Sequence, residues 1–159
     1  MSGGSTATRR EAPITVEKLL ASSRATLDRL TPTEAREAQR RGAVLVDIRS
    51  DSQRSRDGLV PDAHVVARNV LEWRCDPACA YRDRALARPD VRLVLICDEG
   101  CQSSLAAATL QRFGLSRATD LVGGFQAWRA AGLPVLIEPP PAAPPSRGCT
   151  ASSVPGARP

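Results

Sequence analysis

An α/β domain with a mostly parallel sheet is the fold class that this chain predicts, and three observations carry the expectation. Two short apolar runs, Ala43-Val44-Leu45-Val46-Asp47-Ile48 and Val91-Arg92-Leu93-Val94-Leu95-Ile96, read as strands buried on both faces. Segments with apolar residues at helical spacing separate the runs. Glycines close those segments, Gly42 after one helix and Gly114 after another, where a chain leaving a helix needs a left-handed residue.

Taken in order, residues 1–13 are small and polar and are expected to be disordered. From Ile14 to Leu30 the apolar positions Val16, Leu19, Leu20, Leu27 and Leu30 recur at roughly helical spacing. Thr31-Pro32-Thr33-Glu34 then starts a second helix. Thr31 caps it, Pro32 suits the first helical position, and Glu34 completes a capping box for a helix to about Arg41. The strand 43–48 follows Gly42. Gly58 to Pro61 reads as a loop and Val65-Val66-Ala67 as a short strand. Val91 to Ile96 is the clearest strand, and Ser103 to Phe113 the clearest helix. Thr119 to Val122 reads as another short strand, broken by Gly123-Gly124 before a helix from about Phe125 to Ala131. Gly132-Leu133-Pro134-Val135 closes a single domain spanning 14–137, with Trp73, Phe125 and Trp128 assigned to its core. Residues 138–159 are rich in Pro, Ala and Ser and are expected to form a disordered tail.

At 159 residues and 42% hydrophobic, the chain is long enough for one real core. Its net charge is +5, and Lys18 is the only lysine, so arginine dominates. The arginines are interleaved with acids, and 3% aromatic content leaves little to stack on bases, so no nucleic-acid partner is expected. No run approaches the ~20 apolar residues of a membrane span, so no membrane partner is expected either. The segment Met1 to Arg10 lacks the apolar stretch of an export signal. A cytoplasmic location is therefore expected, with the five cysteines (75, 79, 97, 101 and 149) as thiols. Their odd number argues against a complete disulfide framework.

The chemistry concentrates after the clearest strand. Cys97 opens the loop Cys97-Asp98-Glu99-Gly100-Cys101-Gln102-Ser103-Ser104, and a helix follows at once. Such a loop can curl its backbone N–H groups, from Asp98 to Ser103, around a sulfur anion. The positive end of the helix adds to the effect. Gly100 lets the chain turn sharply. Asp98 and Glu99 oppose a negative charge there. Cys101 is a second thiol in the same loop, either a resolving thiol or a tolerated small residue. No metal is expected: His64 is the only histidine, and Cys75/Cys79 and Cys97/Cys101 have CxxxC spacing rather than the favoured CxxC. His64 is read as structural and Cys149 as incidental.

Four landmarks in fixed order resemble the rhodanese-like family. Leu45-Val46-Asp47-Ile48-Arg49 resembles its LVDVR strand, and Gly58-Leu59-Val60-Pro61-Asp62-Ala63 its GHIPGA loop. Val94 to Gly100 is similar to its strand and active-site loop. Gly123-Gly124-Phe125-Gln126-Ala127-Trp128, with Ala131 to Val135, resembles its GGxxAWxxAGxPV ending. The likeness covers about residues 31–137. It implies a single domain with a parallel five-stranded sheet, helices on both faces and no cofactor. It also implies a sulfurtransferase in which Cys97 accepts sulfane sulfur from a small molecule or a protein persulfide and passes it to a thiol or cyanide. It puts Asp47 beside the loop, in an orienting or fold-holding role. Where family loops commonly carry Arg, this chain has Gln102. Arg49 is the candidate to replace that charge. The acidic mouth makes thiosulfate a poor expected donor. The alternative is a non-catalytic binding or redox-sensing module that uses Cys97 and Cys101. The phosphatase and arsenate reductase branch requires a longer loop ending in Arg, and neither Gln102 nor Ser103 is Arg.

Overall fold

The computed structural model describes residues 13–137. Residues 1–12 and 138–159, which carry the expected disordered tails and Cys149, lie outside that description. β1 (Val44–Asp47) and β3 (Leu93–Ile96) form the centre of a parallel sheet. β2 (His64–Val65) lies beyond β1, and β4 (Thr119–Asp120) beyond β3, giving the order β2-β1-β3-β4. The register sets Leu45 beside Val94, Val46 beside Leu95 and Asp47 beside Ile96.

Because side chains alternate along a strand, each apolar run serves two cores. Val46, Leu93 and Leu95 pack on one face with Leu71 and Cys75 of α4 (Leu71–Cys75) and Ala106 and Leu110 of α5 (Gln102–Gln111). Leu45, Val94 and Ile96 face the other way, onto Ala35 and Ala38 of α2 (Pro32–Arg40) and Phe125 and Trp128 of α6 (Gly124–Ala130). Helices thus cover both faces, as the α/β reading requires. The capping box at Thr31 and Glu34 forms as the sequence predicts. Among the described residues no helix is long and apolar enough to cross a membrane.

The sheet has four strands rather than the five implied by the resemblance. The fifth position is reduced to one residue: Leu30 makes an isolated parallel bridge to Leu121 at the β4 edge. Its N–H donates to Asp120 O at 3.1 Å, and its carbonyl accepts from Val122 N–H at 2.8 Å. Thr31 and Pro32 begin α2 immediately afterwards, so the chain leaves the edge before a ladder can extend.

Other boundaries shift as well. The helical spacing over 14–30 yields only α1 (Val16–Arg24), which packs along α5 with Val16 and Leu19 still exposed. The expected strand 65–67 is His64–Val65, with both residues exposed at the sheet edge. Trp73, assigned to the core, is 57% exposed, because the short α4 turns Leu71 and Cys75 inward and Trp73 out. α3 (Asp51–Asp57) was not expected at all. It has no buried residue and hence no apolar period to read, but Ser50 and Gln53 form a capping box at its start.

Candidate active site

Cys97 follows β3 directly, at the carboxyl end of the central strands where open α/β sheets place their sites. It is buried, and its Sγ accepts the Gly100 N–H at 3.1 Å. Ser103 Oγ lies 3.2 Å from the same sulfur. Among the described residues the N–H groups of Asp98, Glu99, Cys101, Gln102 and Ser103 have no protein acceptor. The loop therefore gives the thiol one backbone donor and leaves five further N–H groups without a protein acceptor.

Two glycines make this curl possible. Gly100 has φ +79°, and a Cβ there would stand 2.8 Å from Gly123 N. Gly124, at φ +59°, lies so close under the loop that a Cβ would meet the Cys97 carbonyl oxygen at 2.5 Å. With that space open, Phe125 and Gln126 donate their N–H groups to the carbonyls of Cys97 and Asp98 at 2.9 and 3.1 Å. Gln126 Nε2 also donates to Asp98 Oδ1 at 2.9 Å. The double glycine is thus a seat for the loop.

Behind the loop lies a charged network that the sequence reading missed. Asp120 on β4 is fully buried. Arg29 holds it through two bonds, Nε to Oδ1 at 2.8 Å and Nη2 to Oδ2 at 3.1 Å. Ser103 and Ser104 donate their hydroxyls to Oδ2 at 3.1 and 2.7 Å. Ser103 has one proton to give. While it donates to Asp120, it accepts from the Cys97 thiol. Rotated the other way, the same hydroxyl can donate to Sγ, with Asp120 still held by Ser104 and Arg29. The Gly100 carbonyl accepts from Arg24 Nη2 at 2.9 Å and from Arg29 Nη2 at 3.2 Å. One signal for this network was available: a carboxylate in a short buried strand, Thr119-Asp120-Leu121-Val122, demands a cation.

Asp47 and Arg49 form a buried ion pair with each other. Arg49 Nη2 donates to Asp47 Oδ2 at 2.6 Å, Nε lies 3.0 Å from Oδ1, and Nη2 also holds the Gly58 carbonyl at 2.8 Å. The guanidinium lies 3.6 Å over the Phe125 ring. The pair is buried and electrically neutral. Arg49 thereby ties β1 to the Gly58 loop, with its charge matched by Asp47.

The family model for the rhodanese-like domain matches residues 31–131. The chain belongs to the rhodanese-like domain family. It is 34% identical over 103 residues to a thiosulfate sulfurtransferase GlpE of Pseudomonas savastanoi pv. phaseolicola, covering 64% of this chain and 87% of that protein. A sulfurtransferase of Allochromatium vinosum is 31% identical over 93 residues, covering 58% of this chain and 78% of its own. Among solved structures, a Rhodopseudomonas palustris protein of unknown function, described as a possible tyrosine phosphatase, superimposes with a TM-score of 0.72. It is 31% identical, with 80% of this chain and 98% of that one covered.

In this rhodanese-like domain a cavity of about 200 Å³ opens in front of Cys97. Asp98, Glu99, Cys101 and Gln102 line it from the loop, and Arg49 and Gln53 from across it. Both acidic residues of the loop therefore line this cavity. Cys101 is exposed, with Arg24 Nη2 3.8 Å from its sulfur. Cys75 is buried in the core, and burial, with Asp83 and Glu72 adding to it, pushes its thiol up to about 12, so it is inert. Among the described residues no three His, Cys, Asp or Glu side chains converge on a metal position, and Cys75 and Cys79 do not join the loop thiols.

Proposed function

We propose that this rhodanese-like chain is a sulfurtransferase in which Cys97 carries sulfur as a persulfide. The Cys97 thiolate attacks the sulfane sulfur of a donor, a new S–S bond forms, and the donor's remainder leaves with the bonding electron pair. An acceptor thiolate or cyanide then attacks the outer sulfur, and Cys97 departs as thiolate. One observation carries this reading: Sγ already has Gly100 N–H at 3.1 Å, while its neighbouring loop N–H groups have no protein acceptor. An outer sulfur stands about 2 Å beyond Sγ. Its negative charge would meet preorganised donors without any titratable base. The names of the relatives support sulfur transfer and make thiosulfate a suitable first donor to try.

The cavity also suggests which donors suit the site. With Asp98 and Glu99 at the mouth, a dianion such as thiosulfate enters against two negative charges, whereas a persulfide presented on a protein does not need to bring two. The double replacement Asp98→Asn with Glu99→Gln is expected to raise kcat/KM for thiosulfate by about tenfold, roughly 1.4 kcal/mol of screened repulsion. A monoanionic thiosulfonate should gain about threefold by the same reasoning. Initial rates of thiocyanate formation at fixed ionic strength test this. High thiosulfate activity that is indifferent to both replacements overturns the donor preference.

A further inference from the structure

Resting on the sulfurtransferase reading, we propose that α1 is part of the sulfur-handling apparatus, with Arg24 as a positioning residue. Arg24 and Arg29 together fix the Gly100–Cys101 peptide, and Arg24 supplies the positive field that Gln102 does not.

α1 ends before residue 31, where the family match begins, and none of its residues is buried. The core therefore does not account for its docking. What α1 does deliver is a guanidinium. Arg24 Nε donates to Ser104 Oγ at 3.2 Å, and Nη2 to the Gly100 carbonyl at 2.9 Å, with Cys101 Sγ at 3.8 Å. Arg29, just beyond α1, adds a second donor to the same carbonyl at 3.2 Å. The residue gripped in this way is the one whose own N–H reaches Cys97 Sγ. In a planar trans peptide the carbonyl and the next N–H point in opposite directions. Two guanidinium donors on Gly100 O thus fix and polarise the Cys101 N–H, which has no acceptor among the described residues.

The charges also separate the two arginines. Arg29 is neutralised by the buried Asp120. Among the described residues Arg24 contacts a hydroxyl, a carbonyl and a thiol, and no carboxylate. Its full charge is therefore left to offset Asp98 and Glu99 from behind the sulfur. Arg24 is also partly exposed, so it can be changed without stranding a buried ion.

The test compares Arg24→Gln and Arg24→Lys with the unmodified chain. Cys97 is alkylated with iodoacetate and with iodoacetamide, and fragment mass spectra separate Cys97 from Cys101. The ratio of the two rates reads the local field and not the integrity of the fold. Arg24→Gln is expected to lower that ratio about threefold, and Arg24→Lys to keep most of it because the charge remains. Sulfur loading of Cys97 from thiosulfate should fall by a similar factor, about threefold, in Arg24→Gln. An unchanged ratio in Arg24→Gln, or an equal fall in Arg24→Lys, overturns the proposal. Alkylation needs no sulfur donor. If the unmodified chain takes up no sulfur, the sulfurtransferase reading fails while the alkylation ratio still decides the role of Arg24.

Discussion

Cys97→Ser is expected to lower sulfur transfer at least about a thousandfold and to leave the fold nearly untouched. A hydroxyl at this position keeps the local hydrogen bonds, because Gly100 N–H and Ser103 Oγ already satisfy the atom that stands there. Volume changes little, so the thermal midpoint should move by only a few degrees. The loss is chemical. A serine hydroxyl is too poor a nucleophile and too poor a leaving group to take and release a sulfane sulfur. The comparison is made by thiocyanate formation from thiosulfate and cyanide beside a thermal melt. A variant that retains a tenth or more of the activity would place the sulfur-carrying thiol elsewhere.

Arg49→Met is expected to have the largest effect on stability, a loss of about 3–5 kcal/mol. Methionine fills much of the same space, but Asp47 would be left as a buried carboxylate holding only the Arg49 backbone N–H, at 3.0 Å. The contact with Phe125 and the bond to the Gly58 carbonyl go as well. For a domain of this size that loss corresponds to a fall of roughly 10–20 °C in Tm. Pairing it with Asp47→Leu should recover most of the stability, since an apolar pair replaces an ion pair without stranding a charge. Well below the melting range, KM for thiosulfate should stay within about twofold in the double variant, because the Asp47–Arg49 pair contributes no net charge to the cavity. A thermal midpoint that barely moves in Arg49→Met would show that the pair is dispensable to the fold.

Much of the scaffold was legible because its signals are local. β1 and β3 show as consecutive apolar residues, since both faces are buried, and α2 shows as a capping box behind a proline. The Cys97 loop and the Gly123-Gly124 seat are equally local. What escaped was either exposed or long-range. α3 carries no apolar face, so only its capping box could have marked it. The fifth strand was lost to a helix whose N-cap, Thr31, directly follows Leu30, and residue patterns fix such an edge poorly. Asp120 was readable as a buried acid in need of a partner, but Arg29 lies 91 positions away and competes with every other arginine in the chain. Arg49 is the sequence's candidate to replace the charge absent at Gln102, and Asp47, two positions back on an extended segment, shares one side of it. That spacing already pointed to a neutral pair.

Intact-mass measurement after exposure to thiosulfate and to a persulfide donor tests the Cys97 chemistry most directly. A gain of about 32 Da, one sulfur atom, that fragment spectra place on Cys97 and that is absent in Cys97→Ser is the predicted result. It should be discharged by cyanide. No gain with any donor, in a folded chain whose Cys97 still alkylates, would contradict sulfur transfer and leave a rhodanese-like domain that binds or senses instead.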